Sequence, residues 1–151
     1  LRAERYLQNL TENHFIVRMF NVYGTHGHSF VNTACKKITN YEDILVYGNG
    51  LQTRDYVNVS DAVDALLLGF DNTGLYNVGT GQDWSVTKLI DIIHETTRCK
   101  PTVKFTTPNK NDIARSKADI SRIRSLGWEP KISLEEGVSL VLEQQGFKKL
   151  V

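Results

Sequence analysis

Apolar positions along the chain recur with two different periods, and the switches between them mark out its elements. Val63, Leu66, Leu67 and Phe70 fall at i, i+3, i+4 and i+7, which lines one face of an α-helix, and Ser60 ahead of them has the residue type of an N-cap. Ser85, followed by Val86, Leu89, Ile90 and Ile93, repeats the arrangement. Ser133 with Glu136 three residues on predicts a capping box, and Leu134, Val138, Val141 and Leu142 supply the stripe behind it. Two further helices are expected over residues 2–9 and around 31–38. Residues 15–20 are almost continuously apolar, as in a parallel strand covered on both faces. Shorter strands are predicted at 44–47, 56–59, 75–78 and 102–105, most of them bounded by Gly, Asn or Pro. Helix and strand alternate without a repeat, a low-complexity tract or a long linker, so the pattern predicts one compact α/β unit.

Composition narrows the class without naming a function. A hydrophobic content of 40% with 23% charged residues is that of a globular chain, and 151 residues bury roughly 70% of their unfolded surface. The 18 basic and 17 acidic side chains leave a net charge of +1, so nothing in the balance points to a nucleic-acid or anionic-membrane partner. No apolar run approaches the roughly 20 residues needed to span a bilayer. Cys35 and Cys99 lie far apart and lack a His at metal-ligand spacing; they read as free thiols in a reducing cytoplasm, with a single disulfide as the alternative. The opening residues form a charged helical stretch with no signal-peptide core, and the missing initiator Met leads us to expect a fragment.

Candidate chemistry gathers at three glycine-bearing turns, Asn21-Val22-Tyr23-Gly24, Tyr47-Gly48-Asn49-Gly50 and Asn77-Val78-Gly79-Thr80-Gly81. Each follows a predicted strand, where open α/β sheets leave a ligand crevice. Gly79-Thr80-Gly81 lacks the third Gly and the later acidic residue of a dinucleotide fingerprint, and is read as a tight strand-to-helix turn. Arg54 next to Asp55 has two readings: a local ion pair, or a guanidinium fork aimed at phosphate oxygens. His26 and His28, without a third ligand at a recognisable spacing, are read as polar loop residues, and no metal site is expected. There is no Gly-x-Ser-x-Gly elbow, and neither Cys has an identifiable His partner. Trp84 and Trp128 are expected to be core or turn aromatics.

Several phrases, taken in order, carry a resemblance. They are Arg18-Met19-Phe20-Asn21-Val22-Tyr23-Gly24, Val46-Tyr47-Gly48-Asn49-Gly50 running into Gln52-Thr53-Arg54-Asp55-Tyr56-Val57, and Ser60-Asp61-Ala62. Further on come Tyr76-Asn77-Val78-Gly79-Thr80-Gly81, Asp119-Ile120-Ser121, and Leu126-Gly127-Trp128-Glu129-Pro130 before Ser133-Leu134-Glu135-Glu136-Gly137. Together they resemble the C-terminal half of the extended short-chain dehydrogenase/reductases, specifically the nucleotide-sugar epimerases and dehydratases of the UDP-glucose 4-epimerase and dTDP-glucose 4,6-dehydratase type. The resemblance covers essentially the whole chain.

The resemblance implies an α/β fold, the C-terminal part of an extended Rossmann-type enzyme with its smaller substrate-binding domain. Residues 1–28 and 57–79 would supply the last elements of the Rossmann domain, and 29–56 and 80–151 the substrate-binding domain. The stretch from Leu1 to Leu7 is similar to the helix that follows the family's catalytic Tyr-x-x-x-Lys. That Tyr, that Lys and the glycine-rich NAD fingerprint are therefore expected upstream of Leu1, and this chain alone is expected to be inactive. The chemistry implied is transient oxidation of the sugar by bound NAD, followed by re-reduction or loss of water. A decarboxylase or keto-sugar reductase of the same family is a further possibility, and a non-catalytic sugar-nucleotide-binding module is the reading from another class.

Matching positions imply the binding residues. Asn21 resembles the residue that touches the substrate's diphosphate and sugar end, and Val46 and Tyr47 look like the short strand beside the base. Arg54 is similar to the diphosphate-binding Arg, with Tyr56 beside it, and Asp112 occupies the place of an acidic residue that bonds a ribose hydroxyl. The implied ligand is a UDP- or dTDP-sugar, and the complete enzyme is expected to be a cytoplasmic homodimer. The chain departs from the family at Asn109, where a second diphosphate-binding Arg is common, and at Asn111, where Gly is. Lys110 could offer only a point charge in place of that Arg.

Overall fold

The computed structural model describes residues 2–147. Leu1, at the head of the expected N-terminal helix, lies outside them. In chain order the elements are α1 (Arg2–Leu10), β1 (Phe15–Met19), β2 (Asn21–Tyr23), α2 (Phe30–Thr39), β3 (Ile44–Tyr47), β4 (Thr53–Arg54) and β5 (Tyr56–Asn58). Then follow α3 (Val59–Leu67), extended by a 3-10 turn over Leu68–Phe70, β6 (Gly74–Val78), β7 (Trp84–Ser85), α4 (Val86–Thr97), β8 (Val103–Thr106), α5 (Ser121–Arg124) and α6 (Leu134–Gln144).

Three parallel pairs and one antiparallel pair organise the strands. β1 runs beside β6 with Phe15 opposite Gly74 and Met19 opposite Val78, β2 runs beside β5, and β3 beside β8. Parallel partners need long crossovers, and each of these pairs encloses at least one helix. The two-residue strands β4 and β7 pair antiparallel, with Arg54 opposite Trp84.

Side-chain caps start α2, α3, α4 and α6, while α5 has none. Ser29 caps α2 by accepting from the Asn32 amide, Ser85 caps α4 by accepting from Lys88, and Ser133 and Glu136 close a reciprocal capping box on α6. Each such cap is worth about 1 kcal/mol. For α3 the cap is Asn58 rather than Ser60: the Asn58 Oδ1 accepts from the Ser60 amide, so the helix begins one residue after β5 ends.

Two cores result. In the first, α2, α4 and α6 pack on one another and on β3, burying Val31, Ile38, Ile44, Leu89, Ile93, Val138 and Leu142. Tyr23 lies in this core against Gly137 of α6, where an added Cβ would come within 2.7 Å of the phenol ring. The second core joins Ala65, Tyr76, Val78, Ala118, Ile120, Ile123 and Trp128, with the Phe15 and Tyr76 rings 5.1 Å apart and the Arg122 guanidinium 5.0 Å above Tyr76.

The expected covering of residues 15–20 on both faces is not found. Phe15, Ile16 and Val17 are half-buried, and Met19 is exposed. On α3 the stripe Val63, Leu66, Leu67 and Phe70 faces outward, while Asp61, Ala62 and Ala65 are the buried positions. Asp61 can sit inside because its carboxylate accepts from the Lys131 and Ile132 amides at 3.0 Å each, and its carbonyl accepts from the Trp128 indole at 3.2 Å. Those bonds tie the Ser60-Asp61-Ala62 phrase to the Trp128-Glu129-Pro130 phrase. The segment 21–24 is also corrected: Asn21-Val22-Tyr23 is a strand paired with β5, and only Gly24, at φ +153°, turns. A side chain at Gly24 would strike Val59.

Candidate functional site

Asn21, Val46, Tyr47, Arg54, Tyr56 and Asp112 come from five separate segments of the chain and line a single cleft of about 450 Å³. A second, shallower cavity of about 600 Å³ adjoins it, sharing Tyr47, Gln52 and Asp112 and reaching Asn49, Pro108 and Asn109. β3 forms one wall. Its alternation buries Ile44 and Val46 and turns Leu45 and Tyr47 outward, so an apolar side chain and an aromatic ring stand at the cleft surface.

Arg54 forms the polar floor. Its Nη1 donates to the carbonyls of Thr53 at 2.8 Å and Ile113 at 2.5 Å, and its Nη2 donates to the Asp112 carboxylate in a salt bridge. The alternative of an Arg54–Asp55 ion pair is therefore overturned. Successive side chains of an extended segment point to opposite faces, and Asp55 points away from the cleft. Its fully buried carboxylate accepts from the Thr80 amide at 2.7 Å, the Thr80 hydroxyl at 2.8 Å, the Gly81 amide at 2.9 Å and the Ala118 amide at 3.1 Å.

That arrangement explains the Gly79-Thr80-Gly81 turn. Its amides form an anion cradle, and the anion is the chain's own Asp55. A Cβ at Gly79 would approach the Asp55 carboxylate within 2.8 Å, so only Gly closes the turn. The residues present therefore do not fit the phosphates of a dinucleotide here.

Asn21 donates both its amide N–H and its side-chain NH₂ to the Asp55 carbonyl, each at 3.1 Å, which leaves its Oδ1 free of those contacts. Tyr56 is buried between the cleft wall and the first core, and burial pushes its phenol up to about 12 despite the nearby Arg54, so the ring stays neutral at physiological pH. Behind Arg54, Asp83 accepts from the Thr53 hydroxyl at 2.6 Å and from Arg115 at 2.9 and 3.2 Å. The guanidinium, then the hydroxyl, holds its carboxyl down at about 2.

Ser29, Phe30, Gln52 and Val86 also line the cleft and were not anticipated as site residues. Val86 stands at a helix start that Ser85 marks in the sequence, and Ser29 caps α2 in the structure, but their shared wall exists only once α2 and α4 pack. Gln52 donates to the Tyr47 carbonyl at 2.9 Å and so fixes the Gly48–Gly50 turn beside the cleft.

The remaining candidates lie elsewhere. His26 is bonded through both its amide and its ring to the Gln144 side chain, away from the cleft. Among the described residues no group of three His, Cys, Asp or Glu could hold a metal ion, and no helix is long and apolar enough to cross a membrane. Cys35 and Cys99 are both free, and burial pushes the Cys35 thiol up to about 12.

The sequence profile described as GDP-mannose 4,6 dehydratase matches residues 3–141. A putative UDP-glucose 4-epimerase of Methanocaldococcus jannaschii is 32% identical over 133 residues, covering 84% of this chain and 44% of that protein. The structure of UDP-glucose 4-epimerase from Thermotoga maritima with UDP-glucose superposes with a TM-score of 0.88 at 32% identity, over 95% of this chain and 50% of that one. The Thermus thermophilus UDP-glucose 4-epimerase, solved with NAD, gives 0.85 at 28% identity, over 93% and 50%. The chain thus spans about half the length of these relatives.

Proposed function

The chain belongs to the GDP-mannose 4,6 dehydratase family, and we propose that it is the sugar-nucleotide-binding part of an NAD-dependent nucleotide-sugar 4-epimerase or 4,6-dehydratase. The observation that supports this reading most is the convergence of Asn21, Val46, Tyr47, Arg54, Tyr56 and Asp112 on one cleft. The wall of Leu45, Val46 and Tyr47 suits the flat face of a uracil or thymine, and Arg54 suits a diphosphate. Asp112 keeps one carboxylate oxygen for a ribose hydroxyl, and Asn21 stands at the sugar end.

NAD is the cofactor of this family and supplies the hydride acceptor and donor. Because the Gly79–Gly81 cradle is filled by Asp55, and the 151 residues contain no Tyr-x-x-x-Lys, we assign the cofactor site and the acid-base pair to sequence outside them. This chain's own residues bind and aim the substrate. We assign β1, β6 and α3 to the Rossmann part and the α2/α4/α6 core with β3 and β8 to the substrate-binding unit. The complete enzyme is proposed to be a homodimer, and the two free thiols support a reducing, cytoplasmic setting.

The test has two stages. Calorimetric titration with UDP and with dTDP should give binding that uridine alone does not reproduce, and equal weak binding of all three would remove the diphosphate role of the cleft. The complete enzyme, supplied with NAD and a UDP- or dTDP-hexose, should yield either the C4 epimer or a 4-keto-6-deoxy sugar. Neither product would overturn the reaction class. The isolated 151 residues should show no turnover and no NAD binding, and micromolar NAD affinity would contradict the assignment.

A further inference from the structure

We infer that Asp112 is a positioning residue for Arg54, holding the guanidinium so that its remaining donors meet the ligand's diphosphate; this rests on the nucleotide-binding role proposed for the cleft. A guanidinium carries five N–H donors. Three are taken by protein acceptors: both on Nη1, by the Thr53 and Ile113 carbonyls, and one on Nη2, by Asp112. Among the described residues nothing takes the Nε–H or the second Nη2–H. Two donors are enough for one two-point contact with a phosphate.

Two of the three acceptors, Asp112 and Ile113, arrive together on a segment 58 and 59 residues away in sequence. That segment is itself fixed. The Asp112 amide donates to the Asn109 carbonyl at 3.0 Å, the Thr53 amide to Ala114 at 3.0 Å, and the Ser116 amide to Thr53 at 3.1 Å. The chain from 112 to 116 therefore lies along Thr53, and Asp112 is brought to Arg54 by backbone pairing.

An unheld Arg would have to give up several rotors when the ligand arrives, whereas this one has given them up already. Asp112 thus has a task besides any ribose contact. Its Oδ1 serves Arg54, and among the described residues its other oxygen has no hydrogen-bond donor. Among the described residues that line the cleft Arg54 is the one cation, so the orientation of its guanidinium matters more.

The alternatives are a ribose contact only, or a counter-ion that draws Arg54 away from the ligand. Titrating the purified protein with UDP and with inorganic pyrophosphate, which has no ribose, separates them. Positioning predicts that Asp112→Ala weakens both ligands by about tenfold, the scale of one charge-assisted hydrogen bond. Asp112→Asn, which keeps the shape and an acceptor oxygen, should fall between wild type and Asp112→Ala for pyrophosphate. In an Arg54→Ala background, removing Asp112 should leave pyrophosphate affinity unchanged. A loss confined to UDP, a tighter pyrophosphate complex, or a tenfold loss that persists without Arg54 would each overturn the inference. If Arg54→Ala itself leaves UDP affinity unchanged, the nucleotide-binding reading fails instead, and the two failures are distinguishable.

Discussion

α3 and α4 carry the same apolar spacing and meet opposite fates. On α4, Leu89 and Ile93 are fully buried because α2 and α6 close over them. On α3 and its 3-10 extension, Leu67 is 53% and Phe70 84% exposed, and the buried face is built from Ala62, Ala65 and the satisfied carboxylate of Asp61. α1 goes further than α3: it has no buried residue, and its Tyr6 and Leu10 are exposed. A period of 3.6 therefore identifies a helix and a face, but not the neighbour that face will find. One half of the molecule completes its own core. The other presents its apolar stripe to solvent.

The sharpest contrast should appear in truncations. Leu89→Ala should cost about 2–5 kcal/mol of stability, since it opens a cavity in a closed core. Phe70→Ala should stay within about 0.5 kcal/mol in the isolated chain, because the ring has little to lose there. Urea denaturation of both variants measures the difference, and comparable losses would break the comparison.

Gly137→Ala should follow, with a net loss of about 2 kcal/mol. Ala favours a helix over Gly by about 1 kcal/mol, but overpacking a filled core costs about 1–3 kcal/mol or more, and here the added methyl meets the Tyr23 ring itself. Adding Tyr23→Leu should recover part of the loss by making room. A stabilised Gly137→Ala variant would show that α6 can move away from Tyr23.

The smallest effect is electrostatic. Asp83 titrates near 2 in the folded chain, below the ordinary Asp value of about 3.9, because Arg115 and Thr53 bond its charged form. Its stabilising contribution is present above about pH 4 and is lost as pH falls toward 2. The gap in thermal midpoint between wild type and Asp83→Asn should be constant near neutrality and close over that window. A gap that persists below pH 2 would mean that Asp83 acts through shape and not charge.

Much of this was legible in the sequence, and the rest failed for identifiable reasons. Ser85 and the Ser133–Glu136 box announced their helices because capping is local chemistry. Ser60 misled by two residues because Asn58 ends β5 and caps α3 at once, a double role that only the strand pairing reveals. The six cleft residues were named from resemblance to the family, not from spacing. Spacing left Arg54 between Asp55 and a phosphate, and its actual partner, Asp112, lies 58 residues on. Ser29, Phe30, Gln52 and Val86 were missed because nothing local marks a wall that forms only when distant helices meet.

The central claim is that the cleft holds a nucleoside diphosphate through Arg54. It is tested most directly by the affinity of folded Arg54→Ala for UDP, with folding checked by thermal denaturation. A charge-assisted contact worth about 1.5–3 kcal/mol predicts a loss of roughly 10- to 150-fold, toward the upper end because position 109 offers no second guanidinium. Unchanged UDP affinity in a variant that melts as a folded protein would contradict the account.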